Sequence, residues 1–106
     1  MTLKRLTISP LAERDIRAAV LHYRSEGGEA LAQRFVGEVE RGLARIASRP
    51  GIGSPRFGIA LDLPGLRSVG LSRFPYLVFY LDLAERLDVW RVLHARRDIP
   101  ALLQID

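Results

Sequence analysis

A chain of 106 residues, 48% hydrophobic and 26% charged, has the apolar content for one modest core and an ordinary folded domain's polarity, which argues against disorder. It has no cysteine, which excludes disulfide staples, cysteine-held zinc and thiol catalysis and suits a reducing cytoplasm. The net charge is +4 with a pI near 10.3, as in proteins that meet nucleic acid or acidic proteins; Lys4 is the only lysine, so the basicity is almost wholly arginine, a bias that genomic base composition alone can also produce.

Residues 2–8 read as a short strand, with Leu3, Thr7 and Ile8 favouring extended backbone. Ser9-Pro10 is a helix start: the hydroxyl caps free amides, and proline at the first helical position loses no hydrogen bond. Ala12, Ile16, Ala19, Val20 and Tyr23 then recur at helical spacing, while Glu13, Arg14, Arg17 and Arg24 take the wet face. Gly27-Gly28 ends this helix, and a second follows over about 29–48 with Leu31, Phe35, Val39, Leu43 and Ile46 as its stripe. So short a break predicts an antiparallel helical hairpin.

Pro50 opens turn chemistry that predicts a loop to about residue 65. Residues 66–71 read as an irregular strand. Residues 76–81 and 87–93 read as a β-hairpin, with the second strand apolar on both faces apart from Arg91 and therefore central in the sheet. Asp98-Ile99-Pro100 starts a short helical turn carrying Leu102 and Leu103. The order β-αα-βββ predicts one α+β domain over 1–106, an antiparallel sheet with an N-terminal helical hairpin on one face. No apolar run approaches a membrane span, so a cytoplasmic protein is expected.

No metal-ligand spacing, Ser-His-Asp pattern or glycine-rich phosphate loop is visible, so no cofactor and no metal are expected. His22 lies among solvated helix residues. His94 ends the central strand, where imidazole can serve as an acid or base near neutral pH or simply hydrogen-bond nearby backbone; no nucleophile or second base lies near it in sequence. The sharpest candidates are Arg67, Arg73, Arg96 and Arg97, placed by this layout at strand ends and adjoining loops, with Asp98 beside them. Arginine grips carboxylate or phosphate through a planar two-bond fork.

Several stretches in order resemble the ParE-type toxins of the RelE/ParE toxin–antitoxin superfamily. They begin with residues 9–15, which open the first helix, and Arg34-Phe35 in the second. Next are residues 49–53, residues 65–68 and Pro75-Tyr76-Leu77-Val78-Phe79-Tyr80. The series closes on Arg91-Val92-Leu93-His94-Ala95-Arg96-Arg97-Asp98, where Ala95 stands at a position that is often glycine in the family. The resemblance implies a toxin that inhibits DNA gyrase and is neutralised by a ParD-like antitoxin, without sequence-specific nucleic-acid binding. Arg67, Arg73, Arg96, Arg97 and Asp98 are then the expected partner-binding residues. The superfamily also contains RelE-like ribosome-dependent mRNA endonucleases, and that alternative would use His94 as base with Arg67, Arg73 and Arg96 around the phosphate. This chain departs from the nuclease pattern: after Arg97 its tail has no tyrosine, histidine or lysine, and Lys4 sits in the first strand.

Overall fold

The computed structural model describes residues 4–97 and 99–103. The chain runs β1 (Arg5–Ile8), α1 (Pro10–Ser48), a 3-10 turn (Pro50–Ile52), α2 (Arg56–Ala60), β2 (Leu66–Gly70), β3 (Tyr76–Asp82), β4 (Arg86–His94) and α3 (Ile99–Leu103). Ser9 caps α1 as its sequence position predicts, its side chain accepting from the Ala12 amide at 3.1 Å, with Pro10 at the first helical turn.

Although its helical hydrogen bonding is nearly continuous, α1 is two arms. Gly28 holds φ 81° and ψ −174°, a combination essentially confined to glycine. Tyr23 and Phe35 meet with ring centroids 5.1 Å apart. Twelve residues of straight helix would carry them about 18 Å along the axis. The chain therefore doubles back at Gly28 into the expected hairpin, with arms over 10–27 and 29–48.

Four strands form one sheet in the order β1-β4-β3-β2, so β4 is central, as its apolar faces predict. Strands β2, β3 and β4 are antiparallel, whereas β1 lies parallel to β4. Only the last three strands follow one another through short turns, which require reversal; β1 is separated from β4 by the whole hairpin and is free to run parallel. Phe79 faces Arg91 while Tyr80 faces Val89, so Trp90 is an extra residue in β4, a β-bulge. The bulge switches which residues point inward. Leu87 and Val89 before it, and Val92 after it, all join the core under the hairpin arms with Phe35, Val39, Val78 and Tyr80.

The opposite face is covered too. Leu66, Phe79 and Leu93 pack there with Ile99 and Leu103 of α3, and Phe57 of α2 leans onto the same cluster. Burying so many apolar side chains supplies the main driving force, at roughly 1.5–3 kcal/mol each. The stretch expected to be loop between residues 50 and 65 thus contains both a 3-10 turn and α2, which lids this second layer.

Candidate functional site

The expected residues fall into separate environments, decided by which end of the sheet carries them. Arg67 is the second residue of β2, paired with Tyr80. Its guanidinium donates to the carbonyl of Gly53 at 2.7 Å and, more loosely, to that of Gly51 at 3.4 Å. The Tyr80 hydroxyl donates to the Pro50 carbonyl at 2.6 Å and accepts from the Gly53 amide at 3.0 Å. Burial pushes the Tyr80 phenol above its ordinary value, partly offset by that amide and by the charge of Arg67. A Cβ on Gly53 would come within 2.6 Å of the Tyr80 hydroxyl and 2.9 Å of the Arg67 Cβ, so glycine is required for this close approach. Arg67 and Tyr80 together clamp the 50–53 turn to the sheet.

His94, Arg96 and Arg97 sit where β4 ends. His94 pairs across the sheet with Tyr76, and their rings meet edge to face at 5.2 Å. The His94 Nδ1 accepts the Arg96 amide at 3.1 Å, while the Ala95 amide donates to the Pro75 carbonyl at 2.7 Å, which ties this turn to the β2–β3 turn. Arg97 shares a cavity of about 250 Å³ with His94, Tyr76, Asp15 and Arg91. Burial raises the Tyr76 phenol above its ordinary value, the nearby Arg97 charge opposing that rise. Asp98 lies outside the described residues.

A carboxylate and a guanidinium that the sequence does not join complete this end. Past Ile8 the outer edge of β4 is open, and the first arm of α1 closes it. The Ser9 amide donates to the Val89 carbonyl at 2.9 Å, the Ser9 hydroxyl to the Trp90 carbonyl at 2.7 Å, and the Val92 amide to Asp15 at 2.9 Å. Arg91, turned by the bulge, makes a two-bond fork to the same carboxylate at 2.8 and 2.9 Å and reaches the Leu102 carbonyl at 3.2 Å. The fork raises the Arg91 pKa still further above its already high value, burial opposing it. This pair joins the hairpin, the central strand and α3. Its only sequence signal was one arginine interrupting an apolar strand.

Arg73 occupies the β2–β3 turn with φ 68°. It lines two adjoining cavities, of about 240 and 580 Å³, between that turn and the second arm of α1. Arg34, Arg41 and Arg45 form the helical wall of this groove. Arg41 is paired with Glu38, and Arg45 reaches the Gly70 carbonyl at 3.2 Å. The spacing 34, 41, 45 places the three on one helix face, a signal available in the sequence beside the apolar stripe. An aromatic cluster of Tyr23, Phe35, Phe74 and Tyr76, with centroids 4.9 to 6.1 Å apart, separates this groove from the His94–Arg97 cavity.

Four residues therefore stand in three places. Arg73 faces the groove, His94 and Arg96 belong to the β4 turn, and Arg67 clamps the 50–53 turn. The β3 partners of Arg67 and His94 are Tyr80 and Tyr76. That puts their backbones about 13 Å apart along the strands and about 10 Å across two strand spacings. Among the described residues no group of three or more acidic, histidine or cysteine side chains is arranged to hold a metal ion. None of the described helices is long and apolar enough to cross a membrane.

The same arrangement occurs elsewhere. The chain matches a solved chain of the chromosomal ParDE TA system from P. aeruginosa with a TM-score of 0.75, over 89% of this chain and 98% of that one, at 20% sequence identity. The likeness establishes the fold. No curated protein matches the sequence. The sequence pattern of the ParE toxin of the type II toxin-antitoxin system parDE spans residues 6–99, from β1 to the start of α3, and the chain belongs to that family.

Proposed function

We propose that this type II toxin binds DNA gyrase, stabilises its cleaved DNA complex and so blocks replication, and that a ParD-like antitoxin in the same cytoplasm neutralises it. One observation carries the choice of gyrase over messenger RNA. The residues a phosphate-cleaving site would need stand apart, with Arg67 clamping the 50–53 turn and the His94 Nδ1 accepting the Arg96 amide. In-line RNA cleavage needs a base on the 2′-hydroxyl and cations on the phosphate within hydrogen-bond reach of one another. A toxin that acts by binding needs only complementary surface.

The cationic turn at Arg96 and Arg97 suits the antitoxin role. Both arginines are exposed, beside a cavity deep enough for a side chain. An acidic, amphipathic segment would gain there from charge and from burial, and would become ordered on binding.

The test is gyrase supercoiling by the purified chain, with linear DNA measured after protein removal. Loss of supercoiling with accumulation of linear DNA, reversed by the partner encoded beside the gene, is the expected result. Growth arrest with normal gyrase activity and codon-positioned cuts in messages, lost in His94→Ala, would replace this reading with the endonuclease.

A further inference from the structure

The groove between the second arm of α1 and the β2–β3 turn has no task in the fold that accounts for its charge. Four guanidinium groups (Arg34, Arg41, Arg45 and Arg73) meet one carboxylate, that of Glu38. Among the described residues neither Arg34 nor Arg73 makes an ion pair. The helical wall spans about 16 Å from Arg34 to Arg45 at 1.5 Å per residue. Neighbouring charges within it lie about one screening length apart at physiological salt, so they act as a single field. Arg73 supplies the facing wall from a left-handed backbone conformation that glycine would adopt more easily. A long charged side chain is thus kept where the backbone disfavours it, and strain of this kind gathers at binding sites.

We propose that this groove binds the phosphate backbone of duplex DNA without reading its bases. One feature favours a polyphosphate over an acidic peptide. Arginines stand on both walls, matching the continuous row of charges that a phosphate strand lays along the groove. Leu31, Ala44 and Phe74 also line the groove, beside Glu38 and Ser72. The proposal rests on the gyrase reading for its purpose: an enzyme that holds DNA presents a phosphate backbone to whatever docks beside it.

The experiment is fluorescence anisotropy of the purified chain with a short labelled duplex of arbitrary sequence, in the absence of gyrase. Three phosphate contacts predict a log–log salt slope near −2.7, hence about 40-fold weaker binding at 200 mM than at 50 mM salt, alike for unrelated sequences. Arg34→Glu with Arg73→Glu should weaken binding at least tenfold and flatten that slope. Arg73→Gly should weaken binding while leaving the melting temperature unchanged or raised, which separates contact from folding. Arg17→Glu, the same charge change on the outer face of the first arm, should stay within about twofold of the parent.

Absence of duplex binding at low salt would overturn the proposal. So would equal losses in Arg17→Glu and Arg73→Glu, or a glutamate-rich peptide displacing duplex from the groove. Because gyrase is absent, this outcome and the supercoiling outcome are independent, and either can fail alone.

Discussion

Arg67 shows how a residue's chemistry and its task part company. Its guanidinium could grip phosphate, yet in this fold it grips the Gly53 carbonyl, and the Tyr80 hydroxyl holds the same turn from the other side. Tyr80→Phe would leave the Pro50 carbonyl and the Gly53 amide without that partner inside the protein, at a cost of about 1–3 kcal/mol. The melting temperature should fall accordingly, with growth inhibition kept at temperatures where the variant is folded. Arg67→Glu would set a carboxylate against two carbonyl oxygens and should likewise act through stability. Arg97→Glu should leave the melting temperature near that of the parent, since its side chain is exposed, and should slow partner association in a salt-sensitive way. His94→Ala removes an acceptor for the Arg96 amide and an edge contact with Tyr76, worth about 1 kcal/mol together. If His94→Ala left stability untouched and abolished toxicity outright, an enzymatic role would return. The types of these residues were legible in the sequence; their partners were not, because Arg67 and the 50–53 turn meet only through the register of β2 on β3.

At the scale of elements, two devices fix the hairpin on the sheet. Gly28 makes the reversal, and the sequence announced it, because two adjacent glycines between apolar stripes admit little else. Gly28→Ala meets no steric neighbour but must adopt φ +81°, so it should cost about 1–3 kcal/mol through backbone strain alone, read as a lowered denaturation midpoint with unchanged slope. The Asp15–Arg91 fork is the second device, and it was hidden. Its partners are 76 residues apart, and the bulge at Trp90 that aims Arg91 has no local sequence mark. The side chains are 14% and 16% exposed, so removing one partner strands a mostly buried charge, less costly than in a dry interior. Asp15→Asn should lower stability by roughly 2–3 kcal/mol, and Arg91→Met, which removes the other charge but leaves Asp15 to accept the Val92 amide, by less. A double-mutant cycle on thermal unfolding measures the coupling. For a different reason α2 escaped the sequence: five residues with glycine at their centre show no helical period.

Over the whole molecule, charge and burial set the conditions under which the fold persists. Burial raises Tyr23, Tyr76 and Tyr80 above the ordinary tyrosine value, whereas the unfolded chain ionises its tyrosines near 10. Between those values the unfolded state holds fewer protons, so their contribution to stability is complete below about pH 10 and is lost as pH rises through the folded-state values. Phenolate absorbance of the folded protein should therefore appear later than that of a denatured sample, with unfolding setting in over the same range. The order of elements and the hairpin could be read from periodicity and turn residues, because those signals are local. The two cationic sites could not be told apart, since only packing puts the Tyr23–Phe35–Phe74–Tyr76 cluster between them. That separation allows each site to be altered without touching the other. If the antitoxin segment occupies the Arg96–Arg97 turn and its cavity while DNA occupies the Arg34–Arg73 groove, the sites should be mutated independently. A peptide from the neighbouring antitoxin should stabilise the chain by about 2.7 kcal/mol at a hundredfold excess over its dissociation constant, seen as a raised melting temperature. Arg96→Glu with Arg97→Glu should abolish that rise, and Arg34→Glu with Arg73→Glu should leave it within error. Loss of the rise in both double variants would mean one continuous partner surface crosses the aromatic cluster, and the assignment of separate tasks would fail.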